Sequence, residues 1–211
     1  MRKILFLDID GVLNSRHWML QQVGTFDENY ENFMDPQAVA LLENLVQQTL
    51  CEVVLSSAWR ISPGVQEAQR ALTHHGFTAR IQDHTPSLRY SMLDDEQVEK
   101  ALGPLRFSEI RDGTHALDRE HRRGLEIEIW LRRNVADLAS VCIAIVDDSS
   151  DMGALRPRLV QTHERYGLQP EHLPLLAKQL QTPLGDLLPA HNSWIKAEVL
   201  LPSAAPYDSF A

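Results

Sequence analysis

The sequence predicts an α/β fold: a doubly wound parallel sheet with helices on both faces, a small flap and a modest insertion. Three observations predict it. Short apolar runs rich in Val, Ile and Leu recur along the chain, as strands covered on both faces do. Helical patterns lie between them, and strand–helix alternation implies parallel pairing through right-handed crossovers. Three of the runs lead directly into Asp or Ser, at the strand ends where such sheets bind ligands.

Taken in order, the strands are expected at Lys3 to Leu7, Glu52 to Leu55, Val141 to Val146 and Leu159 to Thr162. Asp35-Pro36 reads as an N-cap followed by proline at the first helical position, with Val39, Leu42, Leu45 and Val46 on one face behind it. Ser62-Pro63 repeats that signal before Val65, Ala68 and Leu72, and Gly76 reads as the stop. Ile127, Trp130, Leu131 and Leu138 make a third apolar face. Leu173, Leu176, Ala177 and Leu180 make a fourth, with Pro174 in its first turn. Two stretches break the alternation. Residues 15–34 are polar and aromatic, a candidate flap. The stretch 87–119 is long and charged, an insertion with one short helix expected at Asp94 to Leu102. Residues 1–181 are expected to form one domain. The tail, 182–211, has prolines at 183, 189, 202 and 206 and is expected to be partly disordered.

With 211 residues the chain suits one sizeable domain. Its net charge of −9 speaks against a large nucleic-acid footprint, which normally shows as a basic face, but leaves room for a site gripping one phosphate. Cys51 and Cys142 each open an apolar run and read as core thiols, not as a disulfide framework or a metal site. The apolar run in MRKILFL is too short for a signal peptide or a membrane span. The reading is therefore a cytoplasmic protein with no membrane partner.

The strand ends carry the chemistry. FLDIDGVLNS places Asp8 and Asp10 after the first strand. VVLSSAWR places Ser56 and Ser57 after the second, with Arg60 close behind. IVDDSSDM places Asp147 and Asp148 after the third, with Asp151 nearby. Residues two apart on a strand share a side, so Asp8 and Asp10 face one site. Adding Asp147 or Asp148 makes three converging carboxylates, which would hold protons unless a cation joined them. Mg²⁺, hard and oxygen-loving, is the natural candidate. One aspartate can attack phosphorus; a second, two residues on, can protonate the leaving alcohol and then activate water. Gly11 lets the backbone turn beside an incoming phosphate, and Ser56 can donate a hydroxyl to it. Arg60 either contacts substrate or covers the sheet edge. Trp59 reads as packing.

DIDGVL after an apolar strand resembles the first motif of the haloacid dehalogenase (HAD) superfamily of aspartate-nucleophile phosphatases and phosphotransferases. VVLS is similar to its second motif and IAIVDDSSD to its fourth. HRRGLEIEIWL offers Arg122 and Arg123 for its basic third motif, and Arg123, directly before Gly124, is the better match. The likeness covers residues 3 to 165. LSSAWR, RGLEIEIWL and LVQTHERYGL further resemble the HAD domain of bacterial Swiss Army Knife RNA-repair proteins. This resemblance implies a Rossmann-like, Mg²⁺-dependent hydrolase of phosphate monoesters working through an aspartyl-phosphate. It implies Asp8 as nucleophile and metal ligand. Asp10 would be the general acid/base, binding metal through its backbone carbonyl. Ser56 and Arg123 would hold phosphate, with Gly11, Ser57 and Arg60 also lining the substrate site. Asp148, beside Asp147, would be the chief metal ligand of the third strand, and Asp151 serves under another spacing of the motif. The implied substrate is a phosphate at a nucleic-acid end or on another large molecule. A small-metabolite phosphatase and a non-catalytic HAD-fold binding module are the alternatives. Metal-free dehalogenation is disfavoured, since Asp10 and the 147–148 pair would then have no cation to serve.

Overall fold

The computed structural model describes residues 1–22, 30–88, 95–103 and 122–188. Among them, five parallel strands form one sheet: β1 (Lys3–Leu7), β2 (Glu52–Leu55), β3 (Ile81–His84), β4 (Cys142–Asp147) and β5 (Leu159–Gln161), in the order β3-β2-β1-β4-β5. The chain winds from β1 outward to β3, then returns to the other side of β1 for β4 and β5. The reversal lies between β1 and β4, where a ligand crevice is expected in a doubly wound sheet.

Helices cover both faces. α1 (Arg16–Gln21) follows β1 and is capped by the Ser15 hydroxyl, which accepts from Trp18 N–H at 3.2 Å. α2 (Pro36–Thr49) starts as its sequence predicts: Asp35 accepts from Gln37 N–H at 2.8 Å and Pro36 opens the first turn. α2, α3 (Val65–His74) and α6 (His172–Gln179) bury Leu42, Leu72 and Leu176 against Leu5, Leu7, Val53 and Val146 of the sheet. On the opposite face, α5 (Arg122–Asn134) packs Ile127, Trp130 and Leu131 against Ile4, Phe6, Ile143 and Ile145. The ring of Trp130 meets that of Phe6 edge-on, 5.4 Å between centroids. α4 (Asp95–Leu102) lies in the stretch read as an insertion, beginning one residue after the expected start.

The structure differs from the sequence reading in three places. β3 was not expected. IQDH is polar, and only Ile81 is fully buried, because β3 is an edge strand that pairs with β2 alone. Ser62-Pro63 does not cap α3. The chain is still turning there: Gly64 N–H donates to the Trp59 carbonyl at 2.8 Å, and Gly64, at φ 116°, takes the cap position with no side-chain bond. Leu138 packs against the α5 core from beyond the helix, which ends at Asn134. Part of the flap, most of the expected insertion and the tail from 189 onward lie outside the described residues.

Candidate active site

Strand register assembles the centre. Leu7 pairs with Leu55 on one side and with Val146 on the other. One residue further on, Ser56 N–H donates to the Leu7 carbonyl at 2.8 Å and Asp8 N–H to the Val146 carbonyl at 3.0 Å. Asp8 therefore leaves the sheet between Ser56 and Asp147. Parallel pairing alone puts the ends of three strands into one crevice.

Carboxylate oxygens of Asp8, Asp147 and Asp148 lie within 4.8 Å of one another. Asp8 is 3% exposed and Asp147 is wholly buried. Burial, followed by the neighbouring Asp8, pushes the Asp147 carboxyl above the usual carboxylate range; Arg123 only partly offsets this. Burial likewise pushes Asp8 up, against the pull of Arg123 and the Ser57 hydroxyl. Asp148, less enclosed, is raised by burial too, again with Arg123 acting against the shift. Asp8 Oδ1 and Asp147 Oδ2 are buried and accept no hydrogen bond. Hard oxygens, short of positive charge and clustered at this range, are what a divalent cation such as Mg²⁺ requires. The residues present fit one.

Arg123 reaches the acids from the first turn of α5. Its Nε lies 3.3 Å from Asp147 Oδ2 and its Nη1 3.8 Å from Asp8 Oδ1. Asp151 fixes that turn. Its Oδ2 accepts from Arg123 N–H at 3.2 Å, its Oδ1 accepts from the Ser149 hydroxyl at 2.8 Å, and its carbonyl accepts from Gly124 N–H at 3.0 Å. A carboxylate at a helix N-terminus is also favoured by the helix dipole. Asp151 is thus occupied as a helix cap and stands outside the cluster of three acids. Gly124 permits the docking, since a Cβ there would lie 2.2 Å from the Met152 carbonyl oxygen. Arg122 lines a neighbouring cavity of about 190 Å³ with Ser87, Ile61, Arg60, Arg123 and Glu126.

The remaining expected residues divide. The Ser56 hydroxyl is buried without a partner beside Asp8, free to donate. Ser57 caps the turn Ala58–Arg60, accepting from Trp59 N–H at 3.3 Å. Gly11, at φ 71°, has a reason apart from substrate: a Cβ there would sit 2.3 Å from Asp148 Oδ2. Arg60 borders the cavity, but its guanidinium is engaged by Glu126 Oε2 at 2.7 Å, Pro86 O at 3.2 Å and Ser57 O. Arg60 is thus a buried tie between the turn after β2 and α5, which is neither of the two readings offered by sequence.

Sequence reading missed three residues. The Trp59 indole donates to Asp10 Oδ1 at 3.0 Å, and Asn14 Nδ2 donates to the same oxygen at 2.7 Å. Thr162 ties the Gly11 carbonyl at 2.9 Å. Asn14, four residues after Asp10, carried a faint signal, since Asn favours local bonds in tight loops. Trp59 and Thr162 carried none, being brought in by other strands.

A family model described as the HAD domain in Swiss Army Knife RNA repair proteins matches residues 4–173. No curated protein and no solved structure matches the chain.

Proposed function

The chain belongs to the family of HAD domains found in Swiss Army Knife RNA repair proteins, and from that premise we propose that it is a Mg²⁺-dependent hydrolase of phosphate monoesters acting through an aspartyl-phosphate. The observation that carries the reading is the meeting of Asp8, Asp147 and Asp148 within 4.8 Å, with Arg123 alongside.

In the proposed reaction the Asp8 carboxylate attacks phosphorus. The bond from phosphorus to the leaving alcohol breaks with its electron pair on that oxygen, which takes a proton from Asp10. The phosphoryl group now sits on Asp8. Water gives a proton back to Asp10 as it attacks phosphorus, the Asp8–phosphorus bond breaks, and inorganic phosphate departs. The Ser56 hydroxyl and the Arg123 guanidinium hold the phosphoryl oxygens, where charge spreads in the transition state. Asp8, Asp147 and Asp148 would hold Mg²⁺, with the Asp10 carbonyl as a further oxygen. When bound, the ion supplies positive charge for the phosphate and for the three acids.

For substrate we favour a phosphate at the end of a nucleic-acid strand. The family's occurrence in RNA repair proteins supports this, as does Asp10, which lies exposed where a large substrate could reach it. The test is turnover of para-nitrophenyl phosphate, sugar phosphates and 3′- or 5′-phosphorylated oligonucleotides with Mg²⁺ supplied. Turnover that a chelator stops, and that Asp8→Asn abolishes without unfolding the chain, is the expected result. Full activity in that variant overturns the role of Asp8, and preference for sugar phosphates overturns the substrate.

A further inference from the structure

We infer that Trp59 and Asn14 are positioning residues that orient the Asp10 carboxylate, so that Oδ2 is the oxygen that exchanges protons with the leaving group and with water. This rests on the phosphatase reading above and deepens it.

Asp10 lies exposed. An exposed aspartate ordinarily turns freely about its side-chain bonds, and a general acid that turns freely spends little time aligned with its target. Here two donors from different parts of the chain meet one oxygen, Oδ1: the Trp59 indole N–H at 3.0 Å and the Asn14 amide at 2.7 Å. Both donors are themselves fixed. Asn14 Oδ1 accepts from Gly11 N–H at 3.1 Å. A carbonyl oxygen accepts and an amide nitrogen donates, so this bond decides which end of the amide faces Asp10. Trp59 is 6% exposed and its ring packs edge-on against Tyr30 and Phe33, at 5.7 and 6.5 Å between centroids. Its backbone N–H is tied to the Ser57 hydroxyl, so the residue that follows the phosphate-facing Ser56 also anchors the indole. With Oδ1 filled by two donors, Oδ2 is the oxygen left to face a reacting group.

A purely structural role for Trp59 would affect every substrate alike. A positioning role would not. Alkyl phosphates have poor leaving groups that need protonation, whereas para-nitrophenolate leaves almost unaided. General acid catalysis contributes about 10²- to 10⁴-fold where a proton is required. Trp59→Phe deletes the donor and keeps an aromatic ring, though a smaller one, against Tyr30 and Phe33.

The experiment measures kcat and KM of wild type, Trp59→Phe and Asn14→Ala on glycerol phosphate and para-nitrophenyl phosphate with Mg²⁺, and repeats Trp59→Phe in an Asp10→Asn background. For either variant that folds, kcat on glycerol phosphate should fall about tenfold or more and kcat on the aryl ester less than about threefold. KM should hold, and Trp59→Phe should cost nothing further once Asp10 is replaced. Equal losses on both esters, an undiminished kcat on glycerol phosphate, or a full additional loss in the Asp10→Asn background each overturn the inference. Should the wild type turn over neither ester, a phosphorylated oligonucleotide, whose leaving group is also an alkyl alcohol, replaces glycerol phosphate, and inactivity there too overturns instead the phosphatase reading on which the inference stands.

Discussion

At Asp147 a carboxylate sits wholly buried within 4.8 Å of two others, with the Arg123 guanidinium beside it. Without a cation this arrangement costs stability. The direction follows from the shifts: burial and the neighbouring charge raise Asp147, and burial raises Asp8, above their unfolded-state values. The folded state therefore binds more protons than the unfolded one, and this contribution is lost as pH rises from about 4 upward. Asp147→Asn removes one of the charges. In metal-free protein it should raise the melting temperature, at roughly 2–4 °C per kcal/mol for a chain of this size. The gap from wild type should widen as pH increases. Mg²⁺ should stabilise the wild type and leave the variant unmoved. Thermal melts with and without Mg²⁺ across a pH series check all three, and an Asn variant less stable than wild type at high pH would refute them.

The element on which the site depends is α5. Its first turn carries Arg123, is capped by Asp151, and lies so close to the loop after β4 that Gly124 has no room for a methyl group. Alanine in an open helix interior gains about 1 kcal/mol over glycine. Here the contact of 2.2 Å with the Met152 carbonyl outweighs that gain. Gly124→Ala should lower both the melting temperature and kcat, since the helix must shift and carry Arg123 with it. One turn later, Glu126 pairs with Arg60 in a bridge whose two side chains are each 4% exposed. Burial drives both groups toward neutrality, lowering Arg60 and raising Glu126. Such a pair fixes geometry more than it stabilises, yet losing one partner strands the other. Glu126→Ala should cost about 3–5 kcal/mol in chemical denaturation, and replacing both residues with apolar ones should recover much of it. A loss under about 1 kcal/mol would mean that water reaches Arg60.

Across the whole chain the net charge is −9, and among the described residues Arg123 is the cation paired with the acid cluster. A nucleic-acid end would then be gripped by one or two phosphates, not along a track. Each phosphate neutralised costs about threefold in affinity between 50 and 200 mM salt. KM for a phosphorylated oligonucleotide should accordingly rise only about three- to tenfold over that range, and a rise of about a thousandfold would point to a long basic track. Taken by itself, the sequence determined what is local and periodic. The buried strands read as unbroken apolar runs, Asp35-Pro36 opened its helix, and acids and serines stood where three of the strands stop. Because parallel strands end together, those stops alone implied that Asp8, Ser56 and Asp147 would be neighbours. Tertiary structure decided the rest. β3 is held in place by the edge of β2 and not by its own apolar content. Gly11 is glycine because Asp148 arrives from another strand. Asp151 became a cap and Arg60 a tie. Trp59, 49 residues along the chain from Asp10, aims its indole at that carboxylate. Contacts made across the crevice depend on where distant side chains come to rest, and no local period of the chain encodes that.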